Sequence, residues 1–367
     1  MSLLLAGLLA LVGCAPGAYG STRPLIKIGL AAPFEGLGRP LGYEALQGVK
    51  LALAHRNAAG GVGGAMVELV ALNDANRPDE ARLQARELAA DPAVLGVVTG
   101  WSGGIAAAAL PVYRQEGLAV VVPWSVPPQL ADPAAGLVLV AADSARIARV
   151  LAGRLTAEES REVAVTGDAQ AVAPYLDVLG ERAGAVPLPE GPGREVLREW
   201  VARLVLARPP PPRALILAAE GASAGGIVQA LAETSWSGTL LGSADAGSTS
   251  LVDVAGEAAA GLIFASPAPA GKDLAQAIEG RAGLPLEELA PRAVLAYDAT
   301  NVLLSAIETA TRTEGKPTRA GVVAAMGAVR VQGLTGDIAF AEDGRRPEAP
   351  VWLYRIEANG YPGELVE

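Results

Sequence analysis

The ten residues Leu95-Gly96-Val97-Val98-Thr99-Gly100-Trp101-Ser102-Gly103-Gly104 decide how this chain folds. The apolar, β-branched run reads as a strand, the glycine-rich turn ends it, and Ala106 to Glu116 reads as a helix. The same unit recurs on both sides. Upstream, strands at Leu25 to Ala31 and Met66 to Asn73 are followed by helices at Tyr43 to Asn57 and Pro78 to Ala90. Downstream, Leu118 to Val122 is a fourth apolar strand. Continuous Val, Ile and Leu strands separated by helices predict a parallel sheet covered on both faces, hence a doubly wound α/β unit.

A second series begins near Asp143. A helix at Ser144 to Leu155 leads into strands at Glu162 to Thr166, Ala214 to Ala218, Thr239 to Leu241 and Leu262 to Ala265. Pro267-Ala268-Pro269 reads as a crossing, and the helices Pro291 to Thr311 and Thr318 to Gly327 follow it. Gly336 to Phe340 and Pro350 to Ile356 read as two strands joined around Asp343-Gly344. Two similar α/β lobes predict a bilobed clamp. The expected partition is 25–142 plus 268–331 for the first lobe, and 143–267 plus 332–367 for the second.

Composition excludes several functions. At 367 residues, with 51% hydrophobic but only 4% aromatic residues, the core must be built from Ala, Val, Leu and Ile. A formal net charge of −10 argues against nucleic acid, whose phosphates need a basic surface. One cysteine excludes a disulfide framework, and one histidine excludes the common zinc sites. Neither a metal nor another cofactor is implied.

That cysteine ends the run Leu11-Val12-Gly13-Cys14, the pattern of a bacterial lipobox. It predicts a signal peptide over 1–14, a lipid on Cys14 anchoring the chain to the outer face of a membrane, and a linker over 15–24. Met1 to Ala10 lacks the Lys or Arg with which export signals normally begin. The alternative is a buried N-terminal segment with a chance cysteine. No other segment reaches the ~18 apolar residues of a membrane span.

Five segments, in order along the chain, carry a family resemblance. They are Ile26 to Phe34, Asn57 to Gly64 with Asn73-Asp74, Pro111-Val112-Tyr113 to Pro123, Ala296-Tyr297-Asp298-Ala299, and Leu334 to Phe340. Together they resemble the leucine/isoleucine/valine-binding proteins of ABC transporters, which have the type I periplasmic binding-protein fold. The resemblance implies two lobes joined by three crossings that close on a small solute. It implies an ABC permease as partner and no catalysis. Branched-chain amino acids, or a related small carboxylate or amide, are the implied solutes. The same fold also serves ligand-sensing receptors and regulators, and that alternative stays open here.

Gly100-Trp101-Ser102-Gly103-Gly104 fits G-x-S-x-G, the nucleophile elbow of hydrolases. That chemistry needs a histidine later in the chain, and the single histidine, His55, lies earlier. The same geometry serves anion binding, because a turn before a helix exposes free N–H groups and the positive dipole end; the other reading is a merely tight turn. The resemblance places a solute carboxylate here, on Trp101, Ser102 and Gly103, and a second contact at Trp124-Ser125-Val126. Trp101 and Trp124 would stand at the cleft mouth, stacked over a ligand or on each other. In the second lobe the resemblance puts an ammonium-binding acid at Ala244, so Asp245, one residue on, is the candidate. Asp168 and Glu220 also lie at strand ends, as ligand contacts or helix caps. Glu35 and the cation Arg39 are weaker candidates in the loop after the first strand.

Overall fold

The computed structural model describes residues 23–189, 193–206, 210–274, 286–358 and 360–366. Cys14, the rest of the leader and most of the linker lie outside the described residues.

The first lobe contains β1 (Leu25–Ala32), α1 (Arg39–Ala58), β2 (Met66–Asn73), α2 (Pro78–Ala90), β3 (Val94–Val98), α3 (Gly103–Gln115), β4 (Ala119–Val122) and β5 (Leu137–Leu139). Its sheet has the order β2-β1-β3-β4-β5, and every pair is parallel. β5 was not anticipated; three apolar residues between turns carry too little pattern to read.

The second lobe contains α4 (Ser144–Ala152), β6 (Val163–Gly167), α5 (Ala169–Leu179), β7 (Ala183–Pro187), α6 (Arg194–Leu206), β8 (Ala214–Ala218), α7 (Gly221–Ala232), β9 (Thr239–Gly242), α8 (Thr249–Ala255) and β10 (Ile263–Ser266). The strands run β7-β6-β8-β9-β10, all parallel, which repeats the order of the first lobe. The chain continues through α9 (Gly271–Leu274), α10 (Pro291–Glu314), α11 (Arg319–Met326), β11 (Arg330–Gly333), β12 (Gly336–Ala339), β13 (Trp352–Glu357) and β14 (Gly360–Leu365). β13 and β14 extend the second sheet antiparallel beside β10.

Local signals set the helix starts. Proline opens α2 and α10, where its missing N–H costs nothing. The side chains of Asp143, Asp168, Ser248 and Thr318 accept first-turn N–H groups of α4, α5, α8 and α11. α10 returns to the first lobe and packs along α1, with Val294, Leu295, Val302 and Leu303 fully buried. Only glycine allows the approach at residue 48, where a Cβ would stand 2.0 Å from the Ala293 carbonyl oxygen.

Among the described residues the chain passes between the lobes at 140–143, at 267–270 after β10, and between β12 and β13. The first and third are bonded to each other. Leu139 N–H donates to the Gly344 carbonyl at 3.0 Å, and Arg346 N–H donates to the Leu139 carbonyl at 3.1 Å. The Arg345 guanidinium also reaches Asp143 at 2.9 Å.

The late strands depart from expectation. Gly336 to Ala339 pairs with β11 rather than with the strand after Asp343-Gly344. Asp298 explains this, because its buried carboxylate accepts N–H bonds from Leu334 (2.6 Å) and Thr335 (2.9 Å) and the Thr335 hydroxyl (2.6 Å). These bonds pin a tight hairpin onto α10. Leu334, Ile338 and Phe340 then join the first lobe's core, so the hairpin expected in the second lobe at 332 packs on the first.

Candidate functional site

Open parallel sheets bind ligands beyond the carboxyl ends of their strands. Here the carboxyl ends of both sheets face one cleft, with a cavity volume of about 410 Å³. Its first-lobe wall is the loop after β2 (Asn76, Pro78), the start of α3 (Ser102 to Ile105) and the loop after β4 (Ser125, Pro127). The second-lobe wall includes Asp168 and Tyr175 of β6–α5, Glu220 after β8, and Asp245 after β9.

Several helix N-termini meet there, and those of α3, α5 and α7 differ in charge. The Ser102 side chain, at the N-cap of α3, makes no capping bond, so hydroxyl and first-turn N–H groups remain available. At α5 the Asp168 carboxylate accepts the Ala171 N–H at 2.8 Å. At α7 Glu220 occupies the N-cap without a capping bond and instead accepts from the Asn76 amide at 2.6 Å, across the cleft. Lobe one therefore offers donors and a positive dipole end, and lobe two offers carboxylates. Both roles considered for Asp168 coexist: it caps α5 and lines the cleft.

The expected contacts divide. Ser102, Gly103, Ser125, Asp168, Glu220 and Asp245 line the cavity. Trp101 does not: its buried ring sits in the first lobe's core, and its indole N–H donates to the Ala31 carbonyl at 3.0 Å. A large amphipathic ring is most stable buried with its one polar atom bonded. Trp124 is also buried rather than at the cleft mouth, and its N–H donates to Asp245 Oδ1 at 2.9 Å. Val126 packs in the apolar core beside α3 and does not line the cleft. Its carbonyl accepts the Ser144 N–H at 3.0 Å, at the first crossing. Glu35 and Arg39 do not line the cleft either; the exposed Arg39 lies 5.3 Å over the Tyr43 ring.

Sequence reasoning missed Arg292. It follows Pro291 at the start of α10 and is 1% exposed. Its guanidinium lies 4.0 Å from the Trp124 ring centroid, and Nη1 donates to the Gly247 carbonyl at 3.3 Å. The charge of Arg292 also acts on Asp245 and on Glu44 of α1, whose Oε2 is buried without a hydrogen-bond partner. Burial pushes both carboxyls up to about 7, against the pull of Arg292. No local pattern marks these residues, because they meet only when α10 returns across the crossing. Asn76 was missed as well; with Ala75 it holds a left-handed backbone, φ 52° and 51°, that turns its amide toward the cleft.

Comparison with known proteins agrees with this architecture. An "Amino acid binding protein" of Pseudomonas aeruginosa is 30% identical over 107 residues, 29% of each chain, so the match spans about three-tenths of that relative's length. The substrate-binding protein LivJ of Streptococcus pneumoniae, solved with isoleucine, superposes with a TM-score of 0.76 at 19% identity, covering 93% of this chain and 99% of that one. A fatty acid ABC transporter substrate-binding protein of Thermomonospora curvata gives 0.77 at 20% identity, over 95% and 92%. At such identities the likeness is one of fold. The model of the periplasmic binding protein family matches residues 25–177 and 207–361. The chain, two parallel-sheet lobes around a polar cleft, belongs to that family of binding proteins, which are not enzymes.

Proposed function

We propose that this protein is the extracytoplasmic solute receptor of an ABC importer, held at the membrane by a lipid on Cys14. Its solute is an amino acid or a related small molecule with a carboxylate or amide at one end and an amine at the other. The observation that carries this is the polarity of the cleft. The carboxylate end meets the uncapped start of α3, with Ser102, Gly103 and Ser125 as donors. The amine end faces Asp168 and Glu220. Asp245 acts behind them, bonded to Trp124. Closure brings both walls onto the solute and presents a composite surface to the permease.

Branched-chain amino acids head the panel because a relative of the same fold was solved with isoleucine. The test is a thermal-shift screen of amino acids, amides, fatty acids and aromatic carboxylates. A binder at 100 times its dissociation constant adds about 2.7 kcal/mol of stability. The reading expects a shift from amino acids; a shift from fatty acids alone overturns it.

A further inference from the structure

The charges around the cleft do not balance. Asp168, Glu220 and Asp245 line it, and among the described residues no Lys or Arg does. Arg292 lies behind the Trp124 ring, where its field reaches Glu44 and Asp245, so it serves that pair. Arg77, beside Asn76 in the chain, pairs with Glu80. Among the described residues, Asp168 and Glu220 face the cavity with an N–H and an amide as partners, Ala171 and Asn76.

A second observation locates the excess. Asp74, fully buried at the end of β2, has an Oδ2 without a hydrogen-bond partner. Burial chiefly, and the nearby Glu220 charge, push its carboxyl up to about 6. Glu220 also acts on Asp245. Glu220 thus sits among acids of both lobes at the rim of the cleft. The Ser144 hydroxyl, another lining group, is buried with no partner and can accept as well as donate.

We infer that the solute carries two positive groups, as a basic amino acid does. This rests on the reading of the cleft given above and narrows its substrate class. The carboxylate takes the start of α3, the α-ammonium takes one of the free acids of lobe two, and a cationic side-chain end takes the other. An apolar side chain would leave the second carboxylate desolvated by closure and uncompensated, which burial of a charge penalises heavily.

Isothermal titration of the purified protein with L-lysine, L-ornithine, L-leucine, L-isoleucine and L-glutamate tests this. The expected result is lysine or ornithine binding at least tenfold tighter than leucine or isoleucine, with glutamate weakest. Glu220→Gln, an exposed substitution that keeps size and the bond to Asn76, should cut the basic ligand's affinity at least tenfold. Asp168→Asn, which keeps a capping side chain on α5, should do the same, and only the variant of the acid that holds the α-ammonium should weaken leucine as well. Leucine or isoleucine binding as tightly as lysine overturns the charge assignment and leaves the receptor reading intact. Silence toward all five overturns the charge assignment, and silence toward the wider thermal-shift panel as well overturns the receptor reading beneath it.

Discussion

The indole N–H of Trp124 donates to Asp245 Oδ1 at 2.9 Å, tying the loop after β4 in one lobe to the loop after β9 in the other. Trp124→Phe keeps the ring in its buried slot and removes only this donor. A hydrogen bond to a carboxylate contributes about 1.5–3 kcal/mol. Because this one spans the cleft, its loss should appear as weaker solute binding, about tenfold or more by calorimetry. Unchanged affinity in Trp124→Phe would mean that the bond survives opening of the cleft.

Ser102 separates a solute contact from a structural cap. Its side chain makes no capping bond to α3, so Ser102→Ala should shift the denaturation midpoint by less than the ~1 kcal/mol usual for a lost cap. Binding of a carboxylate solute should nonetheless weaken about tenfold. A stability loss without an affinity loss would assign the hydroxyl to the fold alone.

Glu44 and Asp245 give the stability a pH dependence of definite sign. Both carboxyls are pushed up to about 7 in the folded chain, so the native state holds protons that the unfolded chain releases near pH 4. Their favourable contribution is full below pH 4 and is lost as pH rises to about 7. Melting temperature should therefore fall across that window. Glu44→Gln, which cannot ionise, should flatten the slope when melting is followed from pH 4 to 8. A slope identical to that of the parent would exclude Glu44 as its source.

Asp298 is the anchor of the β11–β12 hairpin. Asp298→Ala leaves the N–H groups of Leu334 and Thr335 buried without an acceptor, at about 1–3 kcal/mol each. Urea denaturation should report a loss of that order. Asp298→Asn, with a single acceptor oxygen, should fall between parent and alanine.

Gly48→Ala tests the packing of α1 against α10. The new methyl meets the backbone carbonyl of Ala293, which no rotamer change can move. Overpacking of this kind costs about 1–3 kcal/mol, to be read from the same denaturation curves.

Both lobes were legible because fully buried parallel strands such as Val94–Val98 and Ala214–Ala218 must be continuously apolar. Short or irregular strands were not, since β7 is Ala183-Gly-Ala-Val-Pro187 and β14 carries two glycines and a proline. In the cleft, residues fixed by a strand end or helix start were readable: Ser102, Gly103, Asp168 and Glu220. Trp101, Trp124 and Arg292 were misjudged or missed for one reason. Their positions follow from packing between elements distant in the chain, and local spacing says nothing about which ring is covered.

The return of α10 to the first lobe governs the order in which the molecule can be made. The sheet of that lobe is complete by Leu139, yet the helix covering one of its faces starts at Pro291. The second sheet likewise waits for β13, whose Leu353, Tyr354 and Ile356 fill its core. A chain lacking its last hundred residues can complete the core of neither half.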